Sequence, residues 1–176
     1  MYAVYHGPKG LQYIADKVHN TTCSLDTALQ GLGFVQENSA YFDTLKIKAN
    51  ANKVKSIAES KGVNFYYTNA DTVTISLNET TTLSDVNTII SIFAEVAGKT
   101  GNKLTSITKA NNILNAVKRA SKFLENEVFN TYHSETELMR YIKLLERKDL
   151  SLNHSMISLG SCTRKLNAAA EMFPLS

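Results

Sequence analysis

The 176-residue chain carries 19 basic and 16 acidic side chains, a net charge of +3 spread without a run of like charges, which argues against nucleic acid as a partner. Its 43% hydrophobic and 20% charged residues suit a globular domain with one main core rather than a disordered chain. No apolar stretch approaches the ~18 residues of a membrane span, and Cys23 and Cys162, far apart and in no Cys-x-x-Cys pair, support neither a disulfide framework nor a zinc knuckle but fit a soluble protein of the reducing cytoplasm.

Pro8 suits the first turn of a helix, where its missing N–H costs nothing. From there Leu11, Ala15, Val18, Thr22, Leu25, Leu29 and Leu32 follow in steps of four and three, which predicts one long amphipathic helix over 8–32. Thr22 alone interrupts the seam, and its hydroxyl has the carbonyl one turn back to bond. Gly33, just past the last apolar position, suits a left-handed helix stop.

Tyr41 to Lys48 has the period-two pattern of a half-buried strand, with Leu45 and Ile47 on one side and Lys46 and Lys48 on the other. Val54, Ile57 and Ala58 then form one face of a short helix that Gly62 ends. Val63, Phe65 and Tyr67 alternate again, Asn69-Ala70-Asp71 is turn chemistry, and Val73, Ile75 and Leu77 continue as the second arm of an antiparallel hairpin. Thr82 and Asp85 are spaced as a capping box for a helix carrying Val86, Ile89, Ile90, Phe93, Ala94 and Ala97 on one face and ending at Gly98. The expected fold class is therefore α/β (α+β), an antiparallel sheet of about three strands packed by helices, with a helical or irregular C-terminal extension.

Lys99-Thr100-Gly101-Asn102 is polar and marks a boundary, and 103–130, with widely spaced Ile107, Leu114 and Val117, reads as a partly helical linker. Ser134 and Glu137 make a second capping box, opening a helix striped by Leu138, Ile142 and Leu145 and ending near Asp149. The segment from Leu150 to Ser176 is apolar but lacks a sustained period. The expected organisation is a long helix over 1–33, a small α/β domain over 34–98, a linker over 99–130 and an arm over 131–176.

Three constellations carry candidate chemistry. His19 and Cys23 stand one turn apart, as two metal ligands would, but no third ligand follows, so both are read as neighbours of the core seam and no metal site is assigned. His154 and Cys162 have the residue types of a nucleophile pair, yet no oxyanion-hole loop accompanies them. Gly160-Ser161-Cys162-Thr163 with Lys165 offers backbone N–H groups, hydroxyls and charge to a carboxylate or phosphate.

Several stretches carry a family likeness. Tyr5-His6-Gly7-Pro8 with Gly10-Leu11, Ser76-Leu77-Asn78-Glu79-Thr80-Thr81-Thr82, Val128-Phe129-Asn130, Tyr132-His133-Ser134-Glu135-Thr136-Glu137 and 153–167 resemble the junction between the halves of the pyridoxal-phosphate-dependent P-protein of the glycine cleavage system, glycine decarboxylase. The likeness departs from the family pattern at Ser158, Arg164 and the Glu125-Asn126-Glu127 approach to Val128.

That family is several times longer than this chain, so the resemblance implies a fragment. It implies two homologous halves of the fold type I transferase architecture, only the second of which holds cofactor. The first 98 residues would end the first half as its small domain, and the arm would open the catalytic half. In the intact enzyme pyridoxal phosphate takes CO2 from glycine and the aminomethyl group passes to the lipoyl arm of H-protein, the cofactor acting as electron sink. Ser161, Cys162, Thr163 and Lys165 are the residues the resemblance places along the substrate and cofactor cavity. The family's cofactor lysine, preceded by histidine and followed by Thr-Phe and glycines, has no counterpart here, so the fragment alone is expected to be inactive and without cofactor. Its apolar tail, lacking the catalytic half, is expected to favour self-association. The rival reading is a stand-alone binding or dimerisation module that uses the Pro8–Leu32 seam as its interface.

Overall fold

The computed structural model describes residues 1–110 and 118–149. They fall into two compact units that divide after residue 131.

The first unit opens with α1 (Tyr2–Gly31), which is two helical pieces joined at Gly7. The second piece starts at Pro8, as expected. The chain before it is helical as well, because Gly7 takes φ 61° and ψ −178° and lets one helix end where the next begins. The seam from Val18 through Thr22, Leu25 and Leu29 to Leu32 is buried, and the Thr22 hydroxyl donates to the Val18 carbonyl at 2.9 Å. Gly33 lies at φ +97°, and Phe34 N–H returns to Leu29 O at 3.1 Å, closing the helix.

Four strands follow where about three were expected. The missed one is β1 (Val35–Gln36), too short for any alternation to register, and it pairs with β2 (Thr44–Lys48) opposite Ile47 and Lys48. After α2 (Ala51–Ser60), capped by Asn50, come β3 (Tyr66–Asn69) and β4 (Thr72–Ser76). The sheet is antiparallel in the order β1-β2-β4-β3. Strand β3 begins later than Val63 because only Tyr66 onward has a partner on β4, starting opposite Thr74. The Asn69 side chain accepts the Asp71 N–H at 2.9 Å and shapes the hairpin turn.

Helix α3 (Leu83–Ala97) starts with the capping box of Thr82 and Asp85 and stops at Gly98 with φ 64°. The N–H and hydroxyl of Thr82 hold the Asp85 carboxyl below the usual carboxylate range. Leu45, Ile47, Val73 and Ile75 on one sheet face share a single core with Leu25, Leu29, Val54, Ala58, Ile90 and Phe93 of the three helices. The other face is polar, as the Thr44–Ser76 and Thr68–Thr74 hydroxyl contacts show. Ile92 is also fully buried, off the single face that periodicity drew, because α3 is packed by both α1 and α2.

The stretch after Gly98 is tied back to this core. Asn87 exchanges two hydrogen bonds with the backbone of Leu104, and the N–H groups of Thr108 and Ala110 donate to Ser24 and Asn20 of α1. Between 99 and 130 the described residues hold one helical piece, the 3-10 turn Glu127–Phe129, where a partly helical linker was expected.

In the second unit, α4 (Glu135–Glu146) opens on the expected capping box of Ser134 and Glu137. Tyr132 stacks on Tyr141 with ring centroids 4.3 Å apart. None of its residues is buried, so the stripe of Leu138, Ile142 and Leu145 remains partly open.

Candidate functional site

Two residues of α1, on either side of the family-like Tyr5–Leu11 stretch, meet the family-like Ser76–Thr82 loop at Glu79. Tyr2 donates its hydroxyl to Glu79 Oε1 at 3.1 Å, and Lys17 donates its amine to the Glu79 carbonyl at 2.8 Å. The Glu79 carboxyl is held below its usual range by its own backbone N–H first and then by the Tyr2 hydroxyl. The loop itself is fixed by Asn78, whose Oδ1 accepts from the N–H and hydroxyl of Thr80 and from the hydroxyl of Thr81.

The geometry explains the spacing Tyr5-His6-Gly7-Pro8-x-Gly10. Gly7 occupies a region of backbone space essentially closed to side chains. A Cβ at Gly10 would sit 3.0 Å from the His6 Cβ, so the absence of a side chain there makes room for the imidazole. Tyr2 and Tyr5 flank that ring at 4.3 and 5.3 Å. Gly7→Ala should cost of order 1–3 kcal/mol at this joint and release Tyr2 from Glu79. Amide exchange of residues 2–10 should then accelerate while the sheet stays protected; unchanged exchange would refute the assigned role of Gly7.

A second constellation is buried beside α1. His19 and Cys23, paired by sequence spacing, do meet, with Cys23 Sγ 3.5 Å from His19 Nε2. His19 Nδ1 lies 3.0 Å from the Phe42 carbonyl and its ring stacks on Phe42. A carbonyl only accepts, so Nδ1 carries the proton, and the sulfur, 3.5 Å from Nε2 and 4.0 Å from Nδ1, lies over the imidazole ring. Tyr41 donates to Asp26 Oδ2 at 2.6 Å, and burial, then that bond, push its phenol far above the usual range. Sequence reasoning missed Asp26 and Tyr41. Asp26 stands one turn beyond Cys23 and was legible as a charge near an apolar seam; Tyr41 arrives by a tertiary contact that no spacing records. Among the described residues no three or more ligating side chains gather to hold a metal.

The model for the glycine cleavage system P-protein family matches residues 1–93. The chain belongs to that family. Glycine dehydrogenase (decarboxylating) of Flavobacterium johnsoniae is 61% identical over 176 residues, all of this chain and 18% of that protein. Its counterpart in Christiangramia forsetii is 60% identical over the same span and share, and the mitochondrial one of Pisum sativum is 43% identical over 184 residues, 17% of its length. The chain thus spans under a fifth of the relatives it matches.

In this P-protein segment Ser161, Cys162, Thr163 and Lys165, along with His154, lie outside the described residues. The described residues do not build a site for pyridoxal phosphate. Its Schiff base calls for a lysine removed from water. No described lysine is buried, and Lys17, which lines a cleft with Tyr13, Asn20 and Leu83, is committed to the Glu79 carbonyl. No described helix is long and apolar enough to cross a membrane.

Proposed function

We propose that this chain is the junction segment of a pyridoxal-phosphate-dependent glycine decarboxylase of the cytoplasm, an oxidoreductase of glycine catabolism. The intact enzyme releases CO2 from glycine and passes the aminomethyl group to the lipoyl arm of H-protein. The observation that carries the reading is identity near 60% along the whole chain to proteins described as glycine dehydrogenase (decarboxylating). On this reading residues 1–98 form the end of the first half, 99–130 connect, and 131–176 open the catalytic half. Ser161, Cys162, Thr163 and Lys165 line the cavity in which glycine and cofactor meet, offering hydroxyls, N–H groups and a cation to their anionic groups.

The rival module needs the Pro8–Leu32 seam as an external interface. Val18, Leu25, Leu29 and Leu32 of that seam are instead buried in the unit's own core, which favours the junction reading.

The isolated chain should neither retain pyridoxal phosphate through dialysis nor exchange glycine carboxyl carbon with bicarbonate when H-protein is supplied. A visible-edge absorbance band fixed to one lysine by borohydride, accompanied by exchange, would overturn the inactive-fragment reading. Removing 150–176, the apolar tail, should reduce self-association seen by light scattering and leave the melting of the first unit unchanged.

A further inference from the structure

We propose that residues 105–110 are a latch on α1, a strap that unfastens as a unit while the core stays folded and so uncovers the cleft beneath it. The inference does not rest on the decarboxylase reading.

The strap has one fixed end. A Cβ at Gly101 would stand 2.8 Å from the Ala94 Cβ and 3.3 Å from Ile90 Cγ2, so the backbone there is pressed onto α3. Three residues on, Leu104 packs against the core, and its N–H and carbonyl are both held by the Asn87 amide, at 2.8 and 3.0 Å. Packing and two bonds to one side chain tie this end to α3.

Beyond Leu104 the fastening changes. None of residues 105–110 is buried. Among the described residues their hydrogen bonds to α1 come from the strap's backbone, Thr108 N–H to Ser24 Oγ at 3.1 Å and Ala110 N–H to Asn20 Oδ1 at 2.9 Å. Two residues of extended chain advance about 6–7 Å, and i to i+4 on a helix advances about 6 Å. Alternate N–H groups of the strap therefore meet acceptors one turn apart, with the strap running opposite to α1.

Open space borders this part of the strap. A cleft of about 390 Å³ lies between Cys23, Thr27 and Ala28 of α1 and Thr108, Lys109 and Ala110, and a second of about 460 Å³ reaches Ile107. Two neutral hydrogen bonds with little apolar burial hold a segment far less tightly than a packed core is held, which puts the strap among the parts of a fold that open locally. Leu25 and Leu29, on the same helix, are fully buried and open only with the core. Unfastening exposes Cys23, 5% exposed beneath the closed strap, and gives the Asn20 and Ser24 acceptors to water.

The test uses the full 176-residue chain at neutral pH. Amide exchange is read residue by residue, and alkylation of Cys23 by iodoacetamide is separated from that of Cys162 by peptide mass spectrometry. The Thr108 and Ala110 amides should exchange more slowly than in the urea-unfolded chain, yet at least about a hundredfold faster than those of Leu25 and Leu29. Asn20→Ala removes one fastening and should speed Thr108 exchange and Cys23 alkylation together by about fivefold, the loss of one net hydrogen bond. Asn20→Asp keeps an acceptor oxygen and should leave both near their original rates. Strap amides as slow as Leu25, or as fast as in the unfolded chain, overturn the proposal. So does a folded Asn20→Ala chain in which Ala110 alone exchanges faster, because the strap would then fray and not open as a unit. If Asn20→Ala fails to fold, the exchange rates of the unaltered chain decide.

Discussion

Phe93→Ala should destabilise the first unit by about 3–5 kcal/mol, the range for deleting a buried aromatic side chain whose neighbours cannot collapse into the space. Phe93 is fully buried, edge-on to Phe34 at 5.0 Å and tilted against Phe65 at 6.0 Å. These rings reach α3 from the end of α1 and from the approach to β3, so the cavity would open where helix and sheet layers meet. Urea unfolding followed by circular dichroism measures the change, since the chain has no tryptophan to report it. A loss below about 1 kcal/mol would mean that the layers repack and that the three-ring contact is not their main link.

The second large effect is functional and concerns Ser161 and Thr163. The assay protein is the Flavobacterium johnsoniae relative with its matching segment replaced by this chain. On the proposed reading, Ser161→Ala and Thr163→Ala each remove a hydroxyl offered to an anionic group, and a bond of that kind is worth about 1.5–3 kcal/mol. Each should therefore lower kcat/KM for glycine about tenfold or more, with the melting temperature unchanged. Unaltered turnover in both would remove these residues from the cavity; a collapse in melting would make them structural.

Local signals carried most of the first unit into the sequence. The α1 seam, the alternation of Leu45 and Ile47, the Asn69-Ala70-Asp71 turn and the Thr82–Asp85 capping box are each built from steps of a few residues, where spacing reports geometry directly. What escaped was set by partners. Strand β1 is two residues long and exists because β2 lies beside it, the ladder of β3 starts where β4 offers a partner, and Ile92 is buried because α1 and α2 both reach α3. The helical start before Pro8 was hidden because a glycine reads as a stop, whereas Gly7 joins two helices.

The candidate chemistry divides the same way. The i, i+4 spacing of His19 and Cys23 announced their contact, while Tyr41 and the Phe42 carbonyl come from a segment over 15 residues away. The approach of Tyr2 and Lys17 to Glu79 spans more than 60 residues and left no local trace; only Glu79 stood in a stretch marked by its likeness to a family.

The most direct measurement is glycine-dependent CO2 release by the Flavobacterium johnsoniae relative carrying this chain in place of its own segment, supplied with pyridoxal phosphate and lipoylated H-protein. A junction segment of a glycine decarboxylase should support release at a rate comparable with the unaltered relative. A chimera that folds and binds the cofactor yet releases no CO2 would contradict the assignment.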